Sequence, residues 1–245
     1  MHGDVIRLAA LELIAAGTND CEIARRLGIP RTTVRDWRRP RYTAKPRDAC
    51  WRCWRPTRPV AFAPADYAEL LGLYLGDGHI NVMPRTERLR IFLDARHGAV
   101  VDDAEALLRR AFPGNRLGRL TSHRGAMVVL WVYHRHLSCL FPQHGAAKKH
   151  ERPIRLEPWQ HDLVAAHPWA FLRGLIRSDG CVFINRTGRY EYVSYEFSNA
   201  SADIRELFVR TCAGVGVQTR VYGQKIRICQ RPSVALMLEH VGVKS

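Results

Sequence analysis

Two stretches decide how this chain folds: "LLGLYLGDG" at residues 70–78 and "LRGLIRSDG" at residues 172–180. Each is an apolar run of helical composition that closes on an acid followed at once by glycine. Gly72 and Gly174, Asp77 and Asp179, and Gly78 and Gly180 each stand 102 residues apart. One Asp-Gly at a helix end is an ordinary turn. Two at matching places ask for a common reason.

The surroundings repeat as well. After the first stretch come strand-like "HINVM" (79–83) and "RLRIFLDA" (88–95), then helix-like "AVVDDAEALLRRAF" (99–112). Strands "NRLGRLTS" (115–122) and "AMVVLWVYH" (126–134) and a short helix "RHLSCLFP" (135–142) follow. After the second stretch come "CVFINR" (181–186), "YEYVSYEFSN" (190–199) and helix "SADIRELFVRTCAG" (201–214). Strands "VQTRVYG" (217–223) and "KIRICQ" (225–230) and helix "RPSVALMLEHVG" (231–242) complete it. Both copies read αββαββα, over residues 66–152 and 153–245. The predicted class is α+β, a pseudo-twofold pair of repeats.

These two motifs resemble the paired LAGLIDADG motifs of single-chain homing endonucleases, and the resemblance covers about residues 66–245. It implies two motif helices packed through small residues (Gly72 and Gly174, then Gly76 and Ser178), with antiparallel sheets forming a saddle on double-stranded DNA. It implies that Asp77 and Asp179 meet and share divalent metal, Mg²⁺ or Mn²⁺, for phosphodiester hydrolysis. The chemistry is coherent, because two adjacent carboxylates repel unless a hard cation lies between them, and metals at such a site activate water. The family also places a basic residue after the last helix of each repeat. Lys148 or Lys149 fills that place in one copy and Lys244 in the other, to stabilise developing phosphate charge. Near the end of the second strand, where the family often has Gln, stand Asp94 and Asn199; the acid is a departure.

Strand alternation selects further DNA contacts. Arg88 and Arg90 face one way, as do Lys225 and Arg227, and Gln218, Arg220 and Tyr222. In "YEYVSYEF" both faces carry aromatics and the DNA side stays open. His134, His136, His144 and His150 fit no metal spacing.

Residues 4–38 read as three short helices. Gly17 ends the first, Asn19 caps the second with Glu22 as its capping-box partner, and Pro30 opens the third. Helix, glycine turn, helix is the helix-turn-helix layout, similar to that of resolvase-type bacterial regulators. Ile23, Ala24, Leu27, Ile29, Val34 and Trp37 are its expected core. Arg31, Thr32, Thr33, Arg35 and Arg38 are left to reach a major groove. Residues 39–65 read as a Pro/Arg-rich linker holding "CWRC", whose Cys50 and Cys53 supply half of a possible Zn²⁺ site.

The chain has 38 Lys and Arg against 23 Asp and Glu, a net charge of +15, which points to a polyanion partner. No apolar run reaches membrane-span length and no signal-peptide layout opens the chain. The expectation is a cytoplasmic, nucleoid-associated protein without a membrane partner, for which a monomer suffices because both motifs share one chain. Three functions remain open: a DNA endonuclease, a non-cutting transcriptional regulator on the same scaffold, and an RNA-splicing maturase.

Overall fold

The computed structural model describes residues 4–38 and 62–244. The chain divides into two compact units, residues 1–57 and 58–245. Cys50 and Cys53 lie outside the described residues.

In the first unit, α1 (Asp4–Ala15), α2 (Asp20–Leu27) and α3 (Arg31–Trp37) enclose a core of Ala10, Ile23, Ile29 and Val34. Ala24, Leu27 and Trp37 pack against it, as the periodicity predicts. Asn19 caps α2 by accepting the Glu22 N–H at 3.0 Å. The reciprocal half of the box is not formed. The Glu22 carboxylate instead accepts from Arg25 and from Arg26 Nε, one turn on. Gly28 ends the helix at φ +63°, where an L side chain is strained.

The second unit begins with α4 (Pro64–Asp77), β1 (Gly78–Val82), β2 (Glu87–Asp94) and α5 (Gly98–Ala111). It continues with β3 (Leu117–Ser122), β4 (Met127–His134) and α6 (Leu137–Leu140). Then α7 (Pro158–Ala166) leads to the second repeat: α8 (Pro168–Asp179), β5 (Gly180–Thr187), β6 (Tyr190–Ser198) and α9 (Ala202–Gly214). The remainder is β7 (Arg220–Tyr222), β8 (Lys225–Ile228) and α10 (Arg231–His240). The two sheets have the same antiparallel order, β1-β2-β4-β3 and β5-β6-β8-β7. The repeat reading thus holds strand for strand. Two local differences stand out. β7 starts at Arg220, later than the run from residue 217, and α7 was not expected.

α7 has a physical start signal. Pro158 stands at its first turn, and Glu157 and Gln160 close a reciprocal capping box. Gln160 is fully buried, donating to Tyr67 Oη at 2.7 Å and accepting from Gln143 Nε2 at 2.5 Å. A buried polar residue on a short helix hides the helix from an apolar count.

The core is built around the seam between α4 and α8. A Cβ on Gly72 would lie 2.5 Å from the Phe171 carbonyl oxygen, and one on Gly174 would overlap that of Glu69. The backbones therefore touch, and only glycine fits at either place. Lower down, Gly76 abuts Ser178, whose hydroxyl donates back to the carbonyls of Gly174 and Leu175. The seam also holds a buried acid: Glu69 accepts from Arg173 and Arg177 of α8. Arg177 reaches on to Asp103 at 2.5 Å, tying α8 to α5.

Candidate functional site

Close backbone contact forces the C-terminal ends of α4 and α8 together, and each ends on its acid. A Cβ on Gly76 would lie 2.8 Å from Asp179 Oδ2, which places the second acid beside the residue that precedes the first. Burial raises the Asp77 carboxyl to about 7, with the charge of Asp179 adding to the rise and Lys244 and Lys149 opposing it. Burial also raises Asp179, against the Asn199 hydrogen bond and the same two lysines.

The lysines occupy equivalent positions. Lys149 opens a 3₁₀ turn (Lys149–Glu151) and gives its Nζ to the carbonyls of Tyr74 and Gly76. Lys244 gives its Nζ to the carbonyls of Ser178, at 2.6 Å, and Gly180, at 3.0 Å. Both therefore cap the negative end of their own repeat's motif helix. Burial lowers Lys149 to about 8 and lowers Lys244 as well, with the two acids pulling back. Lys148 makes neither of these contacts; it is exposed, with Glu151 at 3.7 Å, and lines the same cavity as Lys149 and Asp179.

Two cavities flank the acids, one of about 430 Å³ and one of about 440 Å³. Asp179 and Asn199 line the first with Lys149, His79, His144 and His150. Asp77 and Asp94 line the second with Lys244, His97 and Arg177. Each cavity thus joins the acid of one repeat to the lysine of the other.

The strand-end residues differ in use. Asn199 Oδ1 accepts the Ser201 N–H at 2.7 Å, and its Nδ2 donates to Asp179 Oδ2 at 2.6 Å. Asp94 makes the same turn with the Arg96 N–H at 2.9 Å, but its carboxylate is held by the Arg96 guanidinium at 2.6 Å. That pairing keeps the Asp94 carboxyl well below the usual carboxylate range. In the sequence the Asp-x-Arg spacing is the only signal of Arg96.

The open face of each sheet is now assignable. Leu89, Ile91 and Leu93 are buried, so Arg88, Arg90 and Phe92 lie on the open side with His79, Asn81, Trp131 and Tyr133. Tyr195 and Phe197 are buried, which leaves Tyr192, Ser194 and Glu196 on the open side of the second sheet. Register places Lys225, Arg227, Arg220 and Tyr222 on that same side. In the first unit Arg31, Thr32 and Arg35 are exposed and Thr33 is half-buried. Arg38 is different: it donates to Asp20 Oδ1 at 2.8 Å and to the Thr18 carbonyl at 2.6 Å, pinning α3 to the turn before α2.

The residues fit a divalent cation. Two carboxylates are held together against their own repulsion, at helix ends that already draw two ammonium groups. Among the described residues no group of three or more His, Cys, Asp and Glu side chains stands ready to hold an ion. A cation there would complete its shell from backbone, water and substrate oxygens, which is the habit of Mg²⁺. Among the described residues no helix is long and apolar enough to cross a membrane.

Comparison with known proteins agrees with this fold. Residues 2–44 match the family model of a homeodomain-like domain, and residues 167–244 match that of a LAGLIDADG-like domain. The latter covers the second repeat, whose strand order the first repeat shares. No curated protein matches the chain. Among solved structures, the N-terminal LAGLIDADG domain of DUF199/WhiA is similar at a TM-score of 0.50 and 14% identity, over 76% of this chain and 88% of that one. Mesophilic variants of the homing endonuclease I-DmoI give 0.51 and 14%, over 73% and 96%. I-DmoI in complex with DNA and Mn gives 0.51 and 13%, over 73% and 97%. At these identities the likeness is one of fold.

Proposed function

From a chain that carries a homeodomain-like and a LAGLIDADG-like domain, we propose a sequence-specific double-stranded DNA-binding protein that hydrolyses phosphodiester bonds with a divalent metal. The observation that carries the reading is the pairing of two half-buried acids, each sharing a cavity with the other repeat's lysine. A scaffold that only binds DNA gains nothing from two carboxylates held together near a polyanion.

Asp77 and Asp179 would hold Mg²⁺ or Mn²⁺, which supplies an activated water and neutralises charge on the leaving oxygen. The chain's own groups do the rest. Asn199 fixes the Asp179 carboxylate through Nδ2. Lys149 and Lys244 stand within the two cavities; at neutral pH Lys149 keeps its proton and offers positive charge to phosphate oxygens. Arg88 and Arg90 supply phosphate contacts on the open face. Arg31, Thr32, Thr33 and Arg35 of α3 supply a further set for a major groove.

A second reading is a DNA-binding regulator that does not cut. The salt-locked Asp94 favours it, because the first repeat then lacks the amide that Asn199 provides in the second. The likeness to the WhiA domain is as great as that to the endonuclease.

The test is selection of bound duplexes from a random library, followed by incubation of the selected site with Mg²⁺ or Mn²⁺. Cuts in both strands support the endonuclease. Tight, sequence-specific binding with no cut in either metal establishes the regulator instead.

A further inference from the structure

The first open-face rung that spans all four strands differs between the two sheets. In the first sheet it reads His79–Arg90–Trp131–Gly118. In the second it reads Cys181–Glu196–Arg227–Arg220. Trp131 thus holds the place of Arg227; its indole covers Gly118, where a Cβ would overlap the ring. Arg90 holds the place of Glu196.

An acid in the middle of a cationic face needs an explanation. Glu196 is 9% exposed. Its Oε2 accepts from Arg227 Nε at 2.7 Å, and its Oε1 lies 2.9 Å from Lys225 Nζ. The Arg227 guanidinium also stands over the rings of Phe183, at 5.9 Å, and Tyr222, at 5.6 Å. Held at Nε and bounded by two rings, it keeps Nη1 and Nη2 as an end-on fork. Among the described residues the Glu196 bond is its one hydrogen bond.

Two consequences follow. Pairing with a carboxylate weakens Arg227 as a phosphate contact, since that contact works through net charge. It leaves the direction of the fork intact, and two parallel N–H donors match guanine N7 and O6. Arg88 and Arg90 present the opposite case: among the described residues neither has an ion-pair partner, so their charge stays available.

Resting on the reading that the open face seats duplex DNA, we propose that Arg227 reads one guanine in the half-site under the second repeat, with Glu196 as its positioning residue. In the first repeat Trp131 stands at the strand position of Arg227, and the rung's arginine, Arg90, lies one strand over with no acid among the described residues to orient it. The recognised site is therefore asymmetric at this position.

The experiment selects duplexes from a random library with the full chain and with its R227Q, R227K and E196Q variants, each checked for an unchanged melting profile. The wild type should enrich one guanine roughly tenfold or more over other bases at a single position. All three variants should lose that preference at that position and keep the rest of the motif, R227K because a single ammonium makes no fork. A purely structural Glu196 would instead weaken every sequence alike and leave the motif unchanged, which overturns the assignment. A guanine that survives R227Q overturns it too, while the DNA-binding reading stands. Failure of the wild type to enrich any duplex overturns both.

Discussion

The second strand of each repeat ends in the same turn with different chemistry. Asn199 takes a backbone N–H into Oδ1 and has an amide left to give Asp179. Asp94 takes the equivalent N–H but has no hydrogen to offer Asp77, and turns to Arg96. The backbone frame is twofold; the side chains hung on it are not. Properties set by the frame should respond alike in both halves, and properties set by side chains should respond unequally.

The largest expected effect tests the frame. Gly72→Val and Gly174→Val each push a side chain into backbone that cannot rotate away. Each should cost about 3 kcal/mol or more in denaturant unfolding, by similar amounts. Gly98→Ala, which meets nothing within 4 Å, is the matched control and should be near neutral. A mild Gly72→Val beside a severe Gly174→Val would break the symmetry of the seam.

The next test concerns the acids without metal. Asp77 has a folded-state pKa near 7, above its ordinary value of 3.8. Between those values the native state keeps a proton that the unfolded chain has released. Its stability in chelator should therefore fall as pH rises from about 4 to about 7, by a few kcal/mol at most. Asp77→Asn should raise the melting temperature at pH 7.5 and flatten that slope. Lys149 acts oppositely: it is lowered to about 8, so its part of the stability recovers between about 8 and its ordinary value of 10.5.

Strand-end exchange probes the inequality directly. Asn199→Asp replaces a donor to Asp179 with a second carboxylate. It should lower metal-free stability at pH 7.5 by about 1–2 kcal/mol, read by thermal melting. Asp94→Asn should change stability less, because an exposed ion pair with Arg96 is worth little. Smallest is the charge test on α3: Arg31→Ala and Arg35→Ala should each lower the salt slope of DNA binding by about 1 and leave melting unchanged.

Much of this is legible in the sequence. The 102-residue offset gave the twofold frame, and the alternation of Arg88 and Arg90 with Leu89 and Ile91 gave one open face. Other features depended on packing that spacing does not encode. Lys148 and Lys149 are interchangeable in sequence until a 3₁₀ turn sends one to the helix carbonyls and the other to Glu151. "YEYVSYEF" has aromatics on both faces, and only burial of Tyr195 and Phe197 reveals which is inside. Arg38 looks like a groove contact by helix position, yet Asp20 and the Thr18 carbonyl claim it. Glu196 carries no signal in the sequence because its reason is cross-strand, in Lys225 and Arg227.

The central claim is that Asp77 and Asp179 form one metal-dependent site. Its most direct test is cleavage of the selected duplex in Mn²⁺ by the wild type, Asp77→Asn and Asp179→Asn, with binding measured in parallel. Both variants should bind the duplex, and each should lose at least about 100-fold in cutting rate. A variant that cuts at the wild-type rate would contradict the claim.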